Sequence, residues 1–334
     1  MIREGKQINP HRGATREILG HDFVIENPID RCILSQSYSF NIFRAFGHWL
    51  WIMAGKMDLP SIEYYAKQVG NLSADQRKLD GAYGPRLFGL GVLNQVPNLI
   101  SSMQHRGATR RAVATVYIPE FDSHRVTVEG REDEVPCTVA LQFLPRDGHL
   151  HSVTMMRSQD VFKILPYDVF IFTLIQEYVA RSLGLELGEY HHFASSFHVY
   201  EADIERANRF ISDPTPPGHA MPTMPPGAQD EFLKRVQRLE ESIRIDAISR
   251  TDAPGATKFR PARFVAAAER LPPFWRDVVL CLVVWSALQD QSTDVIRSLH
   301  EKVDPAFKIY VERALVIASP KRVLERYYTG ANSQ

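Results

Sequence analysis

The sequence predicts an α+β fold with a helical C-terminal extension, on three observations. Strand-like runs are interspersed with helical patterns up to about residue 212. A stretch rich in proline and glycine, DPTPPGHAMPTMPPGAQ, then occupies 213–229. Beyond it only helical patterns remain. These divide the chain into a core at 1–212, a linker or long loop at 213–229, and a helical region at 230–334.

In chain order, residues 16–26 alternate as a strand does, and helical patterns follow at 38–55, 59–70 and 86–104. Strands are expected at 110–118, 137–145 and 149–157, the last two joined by the turn Pro145-Arg146-Asp147-Gly148. Tyr167–Leu183 reads as a largely buried helix, with Phe170, Leu174, Tyr178 and Val179 along one face. A strand at 189–199 and a short helix complete the core. In the C-terminal region, helices are expected at 229–248, 261–270, 273–289 and 305–317.

Composition excludes several function classes. Lys+Arg and Asp+Glu both number 39, so the formal charge is zero and no general attraction to nucleic acid or anionic membrane is expected. Any anion must be held by a local arginine cluster. Cys32, Cys137 and Cys281 form neither a disulfide framework nor a zinc pattern, which suits a reducing cytoplasm. The start, MIREGKQINPHRG, has no apolar core of a signal peptide. The most apolar run, Val278–Leu288, is far shorter than the roughly 20 residues of a membrane span. Metal binding is not expected, because His149-x-His151 and His191-His192 have no acidic partner at a metal-site spacing. The string HRGATR occurs at 11–16 and again at 105–110, each copy placing arginines beside a glycine as an anion-binding loop would.

The segment 136–200 carries PCTVALQF, RSQDVFKILPYD, LIQEYVARSLGLELGEY and FHVY in that order. It resembles the central signature of the thymidylate synthase superfamily, on the side of the deoxycytidylate and cytidylate hydroxymethylases. Arg12, Tyr83 and the pair Arg110–Arg111 fall in the family's order upstream, so the resemblance runs from about residue 10 to 210. It implies a thymidylate synthase-like mixed sheet with packed helices and a homodimer with shared active sites. It also implies two partners, a pyrimidine nucleoside monophosphate and 5,10-methylenetetrahydrofolate as co-substrate.

The resemblance also implies roles. Cys137 would add as a thiolate to carbon 6 of the pyrimidine, making carbon 5 a nucleophile for a one-carbon unit. A free thiol titrates near pH 8.5, and Arg157 would lower that while touching the nucleotide phosphate. Arg12, Arg157 and Ser158 of one subunit would grip the phosphate, joined by Arg110 and Arg111 from the other. His198 and Tyr200, two apart on one strand, would hold the 3′ hydroxyl. Asp160 would bond the pterin ring of the folate, and Tyr83 would orient the water that takes the carbon 5 proton.

Asp168 stands where thymidylate synthases carry asparagine. A carboxyl group can accept from the amino group of cytosine and, when protonated, donate to its ring nitrogen. This favours a cytosine nucleotide; a helix cap is the plainer role for the same residue. His48 takes the place of the family's glutamate and could exchange protons near neutrality. Lys163 and Ile164 replace an apolar residue and a glycine near the folate pocket, and the family's closing tail is not recognisable in PKRVLERYYTGANSQ. The expected activity is hydroxymethylation of dCMP or CMP. The alternatives are methylation of dUMP and a catalytically lapsed nucleotide-binding protein.

Overall fold

The computed structural model describes residues 1–33, 35, 37–38, 40–130, 134–214, 220–251, 259–305, 307–308 and 311–312. The chain divides into two compact units, one of Met1–Tyr38 with His48–Gly218 and the other of Ser39–Gly47 with His219–Gln334.

The first unit begins with strands β1 (Lys6–Ile8) and β2 (Thr15–Ile25). Helices α1 (Ile42–Met53, of which the residues up to Gly47 belong to the second unit), α2 (Leu59–Glu63), α3 (Tyr83–Phe88) and α4 (Gln95–Arg106) follow, then β3 (Val113–Thr115) and α5 (Pro119–His124). Next come β4 (Thr138–Arg146), β5 (His149–Asp160), α6 (Leu165–Ser182), β6 (Glu186–Tyr200) and α7 (Ile204–Ser212). The strands form one sheet in the order β1-β2-β6-β5-β4-β3. Every neighbouring pair is antiparallel except β5 and β6, which run parallel. The fold is therefore α+β with a mixed sheet.

Local chemistry explains the central elements. Asp147 and Gly148 both take positive φ, 47° and 79°, as a two-residue hairpin turn between β4 and β5 requires. Parallel pairing of β5 with β6 demands a crossover, and α6 supplies it. Gln176 on this helix donates to the carbonyls of Leu150 (2.9 Å) and Gly188 (3.0 Å), pinning it to both parallel strands. Glu177 accepts from Arg31 at 2.7 Å with both side chains fully buried. Such a pair is destabilising to break, because one charge would remain buried without its counterion.

Some expectations need correction. The pattern at 86–104 is two helices, separated by a turn in which Gly91 takes a φ of 59°. The helix expected at 59–70 stops at Glu63 and resumes as a 3-10 turn at Lys67–Leu72. The strand expected at 110–118 shrinks to Val113–Thr115. The N–H groups of Val116 and Tyr117 both turn to the Val139 carbonyl, and Pro119 then opens α5. Strand β1 was not expected.

The second unit is helical: α8 (Asp230–Thr251), α9 (Ala262–Ala268), α10 (Pro273–Gln289) and α11 (Thr293–His300), the last of these unexpected. Residues 215–219 of the Pro/Gly-rich stretch lie outside the described residues, as do the tail and most of the helix expected at 305–317. From residue 221 the stretch is packed chain. Met221, Met224 and Gln229 are buried, and Gln229 accepts from the Trp275 indole at 3.0 Å. Helix α10 is buried without interruption from Phe274 to Val284 apart from Arg276, so this run is a protein core. Among the described residues no helix is long and apolar enough to cross a membrane.

Candidate active site

Most of the expected site residues, though not Arg110, Arg111 or His48, converge where β4 starts and where β5 and β6 end. Cys137 immediately precedes β4. There the β4–β5 register slips between Thr138 and Ala140, a bulge of the kind that re-aims a side chain beside a site. Arg157 fastens this corner. Its backbone N–H donates to the Cys137 carbonyl at 2.8 Å, while its Nε and Nη2 donate to Pro136 and Val135 carbonyls, both at 2.9 Å. The guanidinium is thus held against the backbone just ahead of the thiol.

Cys137 is half-buried, and four of the expected charges act on its sulfur. Burial pushes the thiol up; Arg157 and Arg12 pull it down, and Asp168 and Asp160 push it up again. Arg157 acts in the expected sense, but the net direction is upward. Desolvation of a thiolate outweighs two arginines that are partly answered by two carboxylates.

Tyr83, at the start of α3, bonds Thr138, the residue after the cysteine. Its ring stacks at 6.3 Å on Phe172 of α6. Burial, with Asp168 and Cys137 adding to it, pushes the phenol far above its ordinary value. Tyr83 therefore stays neutral and can orient a water but not act as a base.

His198 and Tyr200 stand at the end of β6, their rings edge to face at 5.5 Å. His198 pairs in register with Asp160 on β5 and Glu17 on β2. Burial lowers its imidazole despite these two carboxylates. Tyr200 carries Lys163 Nζ over its ring at 4.3 Å, a cation–π contact. The charge of Arg12 reaches both Tyr200 and Cys137. Its loop closes against β6 through Gly13, at a φ of 119°, and a bond from Glu201 N–H to the Ala14 carbonyl at 2.9 Å. Ser158 pairs with Ser196 in the same part of the sheet. Asp160 Oδ1 accepts from the N–H groups of Phe162 and Lys163, both at 3.0 Å, so the carboxylate is fixed by the turn that follows β5.

Asp168 lies in the first turn of α6, not at its cap; the cap position belongs to Ile164. Its carboxylate is buried and accepts from Gln159 Nε2 at 2.9 Å. The sequence marks neither Gln159, the variable position of RSQD, nor the role of its partner His192, which stood out there only as a metal candidate; no local pattern marks a hydrogen bond between strands.

Arg110 and Arg111 are brought to a different place. Both are exposed ahead of β3, the edge strand, and the Arg110 carbonyl accepts from Gln142 at 2.8 Å. Gln142 lies five residues along β4 from Cys137, on the order of 17 Å at strand rise. His48 is a half-exposed residue of α1 with its ring tilted on Trp51 at 5.8 Å.

The strand histidines separate. His149 turns to its own hairpin, bonding the Asp147 carbonyl at 3.0 Å, and His192 turns into the core. Glu189 supplies an acidic partner that spacing did not reveal: its Oε2 lies 3.1 Å from His191 Nε2 and 3.7 Å from His151 Nδ1. These three could hold a metal ion, but His151 Nδ1 already accepts the Glu189 N–H at 3.1 Å.

Known proteins resemble the chain in sequence and in fold. The family model described as thymidylate synthase matches residues 34–232, more than half of the chain. The chain is 30% identical to the deoxyuridylate hydroxymethyltransferase of Bacillus phage SP01, the match taking in 61% of this chain and 55% of that protein. It is 28% identical to a putative thymidylate synthase of Methanococcoides burtonii, over 62% of this chain and 84% of that one. The crystal structure of thymidylate synthase from T4 phage has the same fold, at a TM-score of 0.58 and 18% identity over 71% of this chain and 88% of that chain. With Cys137 at the mouth of a bulged strand beside Arg157, and Tyr83, Asp168 and Tyr200 within electrostatic reach, the chain whose residues 34–232 match that model belongs to the thymidylate synthase family.

Proposed function

We propose that this protein transfers a one-carbon unit to carbon 5 of a cytosine nucleoside monophosphate, leaving a hydroxymethyl group, through a covalent adduct of Cys137. The observation that carries the reading is the half-buried Cys137 thiol facing Arg157 and Arg12, with Asp168 within electrostatic reach. Arg12, Arg157 and Ser158 hold the phosphate, and His198 with Tyr200 holds the sugar hydroxyl. Cys137 sulfur bonds to carbon 6, so the ring's electrons reach carbon 5. 5,10-Methylenetetrahydrofolate supplies the one-carbon unit when bound. The rigid Asp160 carboxylate suits the donor-rich edge of its pterin. Tyr83, neutral and anchored to Thr138, orients the water that takes the carbon 5 proton. His48 serves proton exchange in place of the family's glutamate. Water would supply the hydroxyl by adding to the new methylene as the folate leaves, and release of Cys137 from carbon 6 ends the turnover.

Two features support a homodimer with shared sites. Helix α6 covers one face of the sheet, while the other exposes Val24, Val113, Met155 and Phe193, which the register sets on one side. Such an apolar face suits a second copy. Arg110 and Arg111, too far along β4 to meet Cys137 of their own chain, would serve the partner's phosphate.

A uracil nucleotide is the second reading, favoured by the names of the relatives. Tritium release from carbon 5 of labelled dCMP, CMP and dUMP with methylenetetrahydrofolate, and mass spectrometry of the products, separates the two. Release from cytosine nucleotides with a hydroxymethyl product is expected; release from dUMP alone overturns the cytosine assignment.

A further inference from the structure

Behind Asp168 runs a line of buried hydrogen bonds that the one-carbon chemistry does not use. Tyr190 and His192 on β6 and Gln159 on β5 are all nearly inaccessible, at 0%, 1% and 1% exposure. The Tyr190 hydroxyl lies 2.9 Å from His192 Nδ1, and His192 Nε2 lies 3.1 Å from Gln159 Oε1. Gln159 Nε2 reaches Asp168 Oδ2 at 2.9 Å. Thr154 bonds the tyrosine oxygen at the far end.

The direction of each bond can be assigned. Gln159 Nε2 faces two acceptors, Asp168 Oδ2 and, at 3.4 Å, the Asp160 carbonyl, so the amide's NH2 must point there and Oε1 toward the histidine. Oε1 only accepts, so His192 carries its proton on Nε2. Burial pushes the imidazolium down to about 4, leaving the ring neutral with a bare Nδ1 for the Tyr190 hydroxyl. Phe23 stacks on the ring at 5.0 Å and keeps it in plane. Every donor in the line points toward the carboxylate.

We propose that Gln159, held by His192 and Tyr190, is a positioning residue that keeps Asp168 an acceptor and so selects a pyrimidine with an exocyclic amino group. The proposal rests on the base-reading role of Asp168. A hydrogen bond donated to a carboxylate favours its ionised form. Of the two ways a carboxyl can meet cytosine, the line selects acceptance from the amino group over donation to the ring nitrogen. A carbonyl at the same place, as in uracil, would face the carboxylate oxygen to oxygen, a repulsive element that sharpens discrimination.

The test measures dissociation constants of dCMP, dUMP, CMP and UMP by titration calorimetry on the full chain. Gln159→Leu is expected to cut the preference for cytosine about tenfold, the value of one such hydrogen bond. In an Asp168→Asn background the same change should leave the preference within about twofold, since Gln159 acts only through the carboxylate. If Asp168→Asn removes the preference but Gln159→Leu does not, the relay is overturned and base reading stands. If Asp168→Asn changes nothing, or the wild type has no preference for cytosine, both fall. Nitrogen-15 NMR of histidine-labelled wild type gives a check that needs no variant. A buried histidine protonated on Nε2 and neutral at pH 7 is expected; an Nδ1–H tautomer or an imidazolium there would sink the relay.

Discussion

Helices α6 and α10 are both buried, yet they are built from different materials. From Val278 to Val284, α10 presents apolar side chains throughout, all at 1% exposure or less. Along twice that length α6 buries Asp168, Gln176, Glu177 and Arg181, and each has a specific partner: Gln159, the sheet carbonyls, Arg31 and Glu186. Apolar burial is non-directional and tolerates sliding by fractions of an ångström. Buried polar groups are costly without partners, and each partner fixes a position. Helix α10 fills a core; helix α6 fixes the geometry of the candidate site.

That contrast breaks outright if the corner α6 supports does no chemistry. Cys137→Ala should lower carbon 5 tritium release by about 10⁴-fold or more, as loss of a nucleophile does, with its thermal unfolding midpoint little changed. Glu177→Ala should cost about 3–5 kcal/mol in urea unfolding, because Arg31 would be left charged and buried. On α10, Leu282→Ala should cost about 2–5 kcal/mol by leaving a cavity, with no change in nucleotide affinity. Equal damage to affinity from both would erase the distinction. Asp168→Asn should shift the cytosine-to-uracil preference by about 1–3 kcal/mol, since one mispaired buried group is at stake. The smallest effect concerns pH. Burial raises the Cys137 thiol, so its alkylation rate should climb with pH to a midpoint above that of a free cysteine, near 8.5. A midpoint below that would mean Arg157 and Arg12 outweigh desolvation.

Much of the fold was legible because its signals are local. Asp147-Gly148 announces a two-residue hairpin, and α6 and α10 declare themselves by length and apolar content. What escaped was short or distant. Three-residue β1 has too little sequence for a period to register, and Gly91 breaks α3 from α4 by its backbone angle while the flanking apolar residues continue the pattern. At the site, the motifs placed Cys137, Arg157, Asp168, His198 and Tyr200 together, but the upward shift of the thiol depends on burial, which spacing does not encode. The two HRGATR copies show the same limit. The first runs from a loop into strand β2, where Thr15 and Arg16 pair with β6, while in the second Gly107 ends helix α4 with its N–H on the Met103 carbonyl at 3.0 Å.

The slip in register between Thr138 and Ala140 has an engineering consequence. It lets the strand keep its ladder and its core-facing side chains while the bearing of the sulfur is set separately. Deleting Val139 would restore an unbroken ladder with Thr138 still opposite Met156 and Ala140 opposite Met155, so Cys137 would keep its side of the sheet and lose only the local bend that a bulge imposes. A shortened protein of that kind is expected to keep its fold, so a drop in carbon 5 tritium release would report the aim of the sulfur and not the integrity of the sheet.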